Sequence, residues 1–227
     1  MTGGVRTVTL LLLASLASCV TACSGAGEAA MGSSDEELVL AQRCERDFGA
    51  PLRAKVSKAR AALERSPTRF GAEVRGELDA GRVKVLPFCA MTSDHFEHFR
   101  KDVDLSAFGA TPDEQRRRLR AGETRGMRSV HTQVYGYQWD DHVYIASNMS
   151  QELTLETLGH ETRHVLRRAH ERNFNDQRVT CVEELEAARA EVLIHKDTLT
   201  ATEERALLDR VHDLYELDKL ASGSCGY

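Results

Sequence analysis

The stretch TLGHETRHVL, residues 157–166, places two histidines four positions apart, with a glutamate directly after the first. In a helix, residues i and i+4 are neighbours on one face, with about 5–6 Å between their Cβ atoms. His160 and His164 can therefore present their imidazole nitrogens to one ion. The apolar stripe that would bury this helix comprises Leu155, Leu158, Val165, Leu166 and Ala169. The two histidines are then expected near the edge of the stripe, facing a cleft.

The pattern HExxH at residues 160–164 predicts a metal-dependent mechanism. Zinc suits two neutral imidazoles and one carboxylate, because these ligands leave a fourth coordination position for water. The ion lowers the pKa of that water, so that a nearby glutamate, here Glu161, can take its proton. The alternative is a helix on which Glu161, Arg163 and Arg167 form ion pairs in solvent.

Two acids that could supply the third ligand follow in CVEELEAARAEV, residues 181–192. Glu183 and Glu184 come after 18 and 19 intervening residues beyond His164, on a helix that is separated from the first by a loop. The alternative for either one is a solvated acid in a run of acids.

An HExxH motif followed by a glutamate at this spacing resembles the gluzincin branch of zinc peptidases, the thermolysin-like and aminopeptidase-like proteins. The resemblance covers residues 140–195 and implies that His160, His164 and one glutamate bind a single zinc ion. It also implies that Glu161 is the general base. Glu184 is preferred as the ligand, because the family's glutamate is often followed three residues later by alanine, here Ala187; Glu183 is the reserve.

The sequence departs from this family at two points. The position four beyond the ligand glutamate often carries an acid that orients a zinc-bound histidine, and here it is Ala188. Glu191, one turn further, could replace that acid or form a salt bridge in solvent. The family's transition-state donor matches no motif. The candidates for this donor are His195, His212 and Tyr215, which qualify only because they lie downstream of the motif. Each of them could equally be a surface or packing residue.

Strand-like segments precede a block of helices, which predicts an α+β fold. Residues 127–147 are rich in Val, Tyr and Ile and predict a hairpin whose second strand is 142–146. In peptidases of this kind, an edge strand ahead of the active-site helix aligns an extended substrate by main-chain hydrogen bonds. The resemblance therefore implies a small zincin-like domain, in which the edge strand of a short antiparallel sheet packs against the active-site helix, and a ligand helix follows.

Capping and turn signals predict the remaining elements. Residues 69–87 are expected to be extended around a turn at 79–81. Thr111 and Thr200 are expected to begin helices, the second through a capping box with Glu203. The other predicted helices are 35–48, 51–66, 150–170 and 181–195, and the helix after Thr200 is expected to reach about residue 221.

The N-terminal segment predicts export. Residues 1–22 carry one basic residue, Arg6, and then an uncharged apolar stretch, as a secretion signal does. Residues 20–23 resemble a bacterial lipobox, which would make Cys23 the lipidated residue ahead of a flexible tether, residues 23–34. Cys19 matches the same loose pattern, and cleavage of an ordinary signal near Ala22 is the alternative. The expected location is the bacterial cell envelope, lipid-anchored, or otherwise outside the cell.

The cysteines agree with an oxidising compartment. If Cys19 leaves with the leader and Cys23 carries the lipid, four remain and permit two disulfides of undetermined pairing: Cys44, Cys89, Cys181 and Cys225. Cys89 could in principle cap a zinc ion as a pro-segment thiolate does, but a disulfide is the preferred prediction.

Residues 35–227 are expected to form one domain, with N-terminal helices and a hairpin in 35–126 and the zincin core in 127–227. The net charge is -5, from 30 basic and 35 acidic residues, so nucleic acid is not an expected partner. The Arg-rich run 115–120 is interpreted as a solvated helix face. The expected partners are a peptide or protein substrate and, through the lipid anchor, a membrane.

A second possible metal site lies in the segment DHFEH, where His95 and His98 are flanked by Asp94 and Glu97. Exposed residues of an aromatic-containing helix are the preferred interpretation. The sequence as a whole predicts an exported zinc peptidase. The competing hypothesis is a lipid-anchored envelope protein that serves a binding or structural role and has a non-catalytic metal site.

Overall fold

The computed structural model of the protein describes residues 33–65, 68–129, 132–174 and 176–215. The predicted signal, the lipidation candidate Cys23, nearly all of the tether and Cys225 lie outside these ranges. In the part of the chain that the structure describes, no helix is long and apolar enough to cross a membrane.

The fold is α+β, as predicted. The strands are β1 (Lys84–Pro87), β2 (Arg128–Ser129), β3 (Thr132–Gln133), β4 (Gly136–Trp139) and β5 (His142–Ile145). The helices are α1 (Ser33–Cys44), α2 (Ala50–Arg65), α3 (Arg69–Asp79), α4 (Ser93–Asp102), α5 (Pro112–Arg120), α6 (Gln151–Leu166), α7 (Gln177–Leu193) and α8 (Ala201–Leu214). Capping boxes at Thr111 and Thr200 begin α5 and α8, which confirms both predicted helix starts.

A three-stranded sheet in the order β1-β5-β4 carries the predicted hairpin. β4 and β5 pair antiparallel, with Gly136 opposite Ile145 and Trp139 opposite His142. β1 pairs with the other side of β5 in parallel, with Lys84 opposite His142. The sheet is therefore mixed, and the prediction that residues 142–146 form its edge is wrong because β1 covers that side. The edge strands of this sheet are β1 and β4.

The prediction of extended structure over residues 69–87 is wrong for its first half, which forms α3. Phe70, Val74 and Leu78 recur every four residues, and this spacing places all three against the core. Thr68 caps the helix by accepting a hydrogen bond from the Gly71 amide. Residues 79–81 form a turn, as predicted, but this turn marks the end of a helix, and Gly81 has a φ of 68°. Only Lys84–Pro87 is a strand.

Helix α6, which carries the HExxH motif, is held firmly at its start. The Ser150 side chain accepts a hydrogen bond from the Leu153 amide and caps the helix. Lys55 of α2 donates to the carbonyl oxygens of Ser147 and Met149, both at 2.6 Å. The helix then packs against α2, α7 and both strands of the hairpin. It ends at Leu166, four residues before the predicted end.

A disulfide joins Cys44 of α1 to Cys89, just after β1. This pairing confirms one predicted disulfide and removes Cys89 as a candidate zinc cap. Cys181 of α7 is also disulfide-bonded. Because Cys225 lies outside the described residues, its part in the second predicted disulfide stays a prediction.

Candidate metal centre

The two histidines of the HExxH motif converge on one face of α6. Their Nε2 atoms lie 3.2 Å apart, and the ring centroids are 4.9 Å apart at a steep angle. The helical spacing therefore produces the neighbouring imidazoles that the sequence predicted. His164 is buried, and His160 is partly buried.

Glu184 of α7 completes the group. Its Oε2 lies 3.6 Å from His160 Nε2, and its Oε1 lies 3.6 Å from His164 Nε2. Among the described residues, His160, His164 and Glu184 are the one group of acids, histidines or cysteines whose ligand atoms come together closely enough to hold a metal ion. The preferred third ligand thus lies where the prediction needs it.

The separations of these atoms fit a small tetrahedral ion. Ligands bound at about 2.0–2.1 Å around such an ion stand about 3.3–3.4 Å from one another. The two Nε2 atoms lie 3.2 Å apart, and each lies 3.6 Å from one oxygen of Glu184, His160 from Oε2 and His164 from Oε1. The side chains would therefore need only small rotations to bind a cation.

Glu183, the reserve ligand, points elsewhere. Its carboxylate accepts hydrogen bonds from Arg167 Nε at 2.8 Å and Nη2 at 3.0 Å. The side chain is only 4% exposed, and this bidentate pair with Arg167 compensates the buried negative charge of Glu183. It belongs to the contact between α6 and α7 and lies outside the metal-binding group.

A second carboxylate, that of Glu191, orients the His160 ring through its Nδ1 atom. The Nδ1 of His160 donates to Glu191 Oε1 at 2.8 Å, and Arg210 donates to Glu191 Oε2 at 2.6 Å. Glu191 therefore takes on both roles that the sequence left open, since it fixes the imidazole and also forms a salt bridge. The small Ala188, one turn earlier, is buried.

Of the three downstream donor candidates, only Tyr215 reaches the centre. Its hydroxyl donates to Glu184 Oε2 at 2.6 Å. His195 lies near Glu156, at 3.6 Å, and His212 is buried; neither lines the cleft above the histidines. No motif in the sequence marks Tyr215, because its contact depends on how α8 packs against α7.

Glu161 is placed as a general base would be. The side chain is 6% exposed, and burial raises the pKa of its carboxyl to about 7, with Glu184 and Glu191 adding to the effect and His160 opposing it. The solvent ion pairs proposed as the alternative for this glutamate do not form: Arg163 pairs with Glu186, and Arg167 pairs with Glu183.

The charges around the imidazoles favour a cation. Burial alone would lower the pKa of His160, but hydrogen bonds to Glu184 and Glu191 outweigh it and raise that pKa well above its usual value. Burial lowers the pKa of His164 to about 4. Burial opposes ionisation of Glu184, but the two histidines and Tyr215 lower its pKa to about 2. The proton on His160 thus occupies a place where positive charge is stabilised.

A cleft of about 810 Å³ opens onto these residues. β4 forms part of its wall, and Gly136 lies directly against Glu161: a Cβ atom there would stand 2.5 Å from Glu161 Oε1 and 2.6 Å from Thr157 Cγ2. Tyr135 and Phe174, which also line the cleft, are 38% and 40% exposed. The cleft therefore presents apolar surface next to the metal-binding group.

The second possible metal site, in residues 94–98, does not assemble. His95 Nδ1 lies 2.7 Å from the Tyr144 hydroxyl, whereas the His98 ring stacks on Trp139 with centroids 3.7 Å apart. Glu97 pairs with Arg100 and Arg116. The preferred interpretation, an exposed helix, is also incomplete, since both imidazoles are partly buried in aromatic contacts.

Comparisons of the chain with protein-family models, with curated proteins and with solved structures found no match. The functional argument therefore starts from the geometry of the site and from the motif.

Proposed function

We propose that the protein is a zinc-dependent peptidase, in which His160, His164 and Glu184 bind one zinc ion and Glu161 is the general base. The observation that supports this most strongly is the meeting of two imidazoles and a carboxylate beside a buried glutamate, at the bottom of an open cleft. The HExxH motif and the spacing to Glu184 resemble the gluzincin peptidases, in which the same residue types serve these roles.

The donor set favours zinc over the common hard cations. Calcium and magnesium prefer sites built from oxygen atoms, whereas two of the three donors here are imidazole nitrogens. Zinc commonly takes three protein ligands in catalytic sites and keeps a further position for water.

When bound, zinc would lower the pKa of a water molecule and polarise the carbonyl of the scissile bond. Glu161 would accept the proton of that water and then pass it to the leaving amine. In the metal-free site burial raises the pKa of this carboxyl to about 7, and a bound zinc ion would lower it and so favour the carboxylate form that accepts a proton. Glu191 would keep the Nδ1 proton of His160 in place, so that Nε2 faces the ion.

The edge strand β4 is suited to hold the substrate. One side of β4 pairs with β5, and its residues line the cleft beside Glu161. An extended peptide could therefore add to the sheet by main-chain hydrogen bonds. The resemblance implied this substrate-aligning role for residues 142–146, and we assign it to β4 instead.

Zinc-dependent proteolysis tests the proposal. Metal-free protein is expected to leave a generic unfolded protein intact, and one equivalent of zinc per chain is expected to restore cleavage, because the activated water requires the ion. The fragments would be followed by mass spectrometry. If the protein binds zinc at one per chain yet cleaves nothing in a broad panel of peptides, the hydrolase proposal fails. The alternative of an envelope binding or structural protein then stands.

The close contact at Gly136 gives a mutational prediction. Gly136→Ala is expected to lower the rate of hydrolysis by about 100-fold, because the new methyl group would displace the Glu161 carboxylate from its working position. Zinc content should stay at the wild-type level, since the atoms nearest to the added Cβ belong to Glu161 and Thr157 rather than to the proposed ligands. Both quantities can be measured on the same preparation.

Gly76→Ala is the matched control. Gly76 lies in α3 with nothing within 4 Å of an added Cβ, and alanine there should stabilise the helix by roughly 0.5–1 kcal/mol. Its activity should equal that of the wild type. An alanine at position 136 that leaves hydrolysis intact would contradict the placement of Glu161 as the base.

A further inference from the structure

Helix α8 sends two side chains to the candidate metal centre. Tyr215, at the C-terminal end of the helix, donates to Glu184, and Arg210, about one turn earlier, donates to Glu191. Neither residue is itself part of the metal-binding group. The helix therefore touches the centre only through other side chains.

The contact made by Tyr215 distinguishes the two oxygens of Glu184. Oε2 accepts the phenol hydrogen bond at 2.6 Å and lies 3.6 Å from His160 Nε2, while Oε1 has no contact with Tyr215 in this group and lies 3.6 Å from His164 Nε2. A donor fixed on one carboxylate oxygen restricts rotation of the group and uses one of its lone pairs. Glu184 is thereby held in an orientation that keeps it facing the imidazoles.

Arg210 acts on His160 indirectly, through Glu191. Arg210 Nη2 holds Glu191 Oε2 at 2.6 Å, and Glu191 Oε1 holds His160 Nδ1 at 2.8 Å. A carboxylate on Nδ1 fixes both the tautomer and the ring orientation of a histidine ligand. This series of hydrogen bonds therefore connects α8 to His160, a second candidate ligand besides Glu184.

α8 is itself anchored to α7. Leu207 and Val211 pack with Leu185 in a buried cluster, and Arg189 of α7 pairs with Glu204 at 2.8 Å. The position of both donors is therefore set by the docking of one helix.

We propose that α8 supports the metal centre, with Tyr215 and Arg210 as positioning residues that hold Glu184 and His160 in ligand geometry. This inference rests on the proposed zinc site and goes beyond it, because it assigns the strength of zinc binding to a helix that supplies no ligand. Neither residue needs to touch substrate or the reacting atoms for this role.

The test is the zinc affinity of the purified protein, measured by competition with a chromophoric chelator. Tyr215→Phe removes only the hydroxyl, and Arg210→Met removes only the charge and the donors. Each is expected to weaken zinc binding by about 10- to 100-fold, which is the usual effect of losing a group that orients a metal ligand. Cobalt substituted for zinc should also show an altered visible spectrum in Tyr215→Phe, because the environment of Glu184 changes.

Two controls remove the same groups at other positions, one in the same cleft and one on the same helix. Tyr137→Phe deletes a hydroxyl that donates to Asp102 at 3.0 Å within the same cleft. Arg205→Met deletes an arginine of α8 that pairs with Asp209 at 3.4 Å. Both should keep the wild-type zinc affinity. The melting temperatures of the metal-free variants separate a loss of metal binding from a loss of folding.

The outcomes are distinct. Weaker zinc binding by Tyr215→Phe and Arg210→Met, with metal-free melting temperatures close to those of their controls, supports the inference. Wild-type affinity in both variants overturns it and leaves the zinc site standing. If the wild-type protein binds no zinc, the proposed function and this inference fall together.

Discussion

Glu161→Gln is expected to reduce peptide hydrolysis by about 100- to 10,000-fold while zinc remains bound at one per chain. Glutamine has the same shape but cannot accept a proton, so the change removes the base without emptying its position. The carboxyl is buried between α6 and β4, where its pKa rises to about 7. Solvent therefore cannot easily take over its role.

Glu152→Gln provides the matched control for this prediction. Glu152 lies in the first turn of the same helix and is exposed, so the substitution should leave activity unchanged. Rates and zinc content would be measured on both variants. Full activity of Glu161→Gln would show that another group takes the proton, and the proposed mechanism would then be wrong.

His164→Ala is expected to abolish stoichiometric zinc binding, and hydrolysis with it. The imidazole is buried and would supply one of three protein ligands, and the two remaining ones would not hold the ion against dilute chelator. The metal content after dialysis would be measured by atomic emission. Since the substitution also leaves a cavity, the metal-free wild type is the reference for stability.

His170→Ala is the corresponding control, because His170 lines the same cleft but lies outside the metal-binding group. Its zinc content should match that of the wild type. Equal zinc in His164→Ala and His170→Ala would place the ion somewhere else in the protein.

The parts of the site that sequence could predict are local. His160 and His164 share a face because a helix brings i and i+4 together wherever it lies in the fold. Glu184 was preferred over Glu183 because alanine follows it three residues later, as in a known family, and the packing of α6 on α7 brings it to the two imidazoles. The α+β class followed from the order of strand-like and helical segments.

The parts that sequence did not give depend on contacts between distant segments. The central position of β5 is set by its pairing with β1, which precedes it by more than fifty residues. Tyr215 and Arg210 acquire their roles from the docking of α8. Such contacts leave no local pattern in the chain.

α3 is a different case, because its signal was present. Phe70, Val74 and Leu78 have helical spacing, but the turn signal at residues 79–81 was interpreted as a turn within extended structure. Burial of the apolar stripe outweighs the low helix propensity of glycine, about 1 kcal/mol per residue. Periodicity was the better guide here than the identity of single residues.

The central claim is that two imidazoles of α6 and one carboxylate of α7 bind the same ion. An anomalous difference map, recorded at the zinc edge from crystals of the zinc-loaded protein, tests it directly. The account predicts one strong peak, about 2.0–2.2 Å from the Nε2 atoms of His160 and His164 and from an oxygen of Glu184. A peak at Glu183, a peak at some other surface, or no peak at all would contradict it.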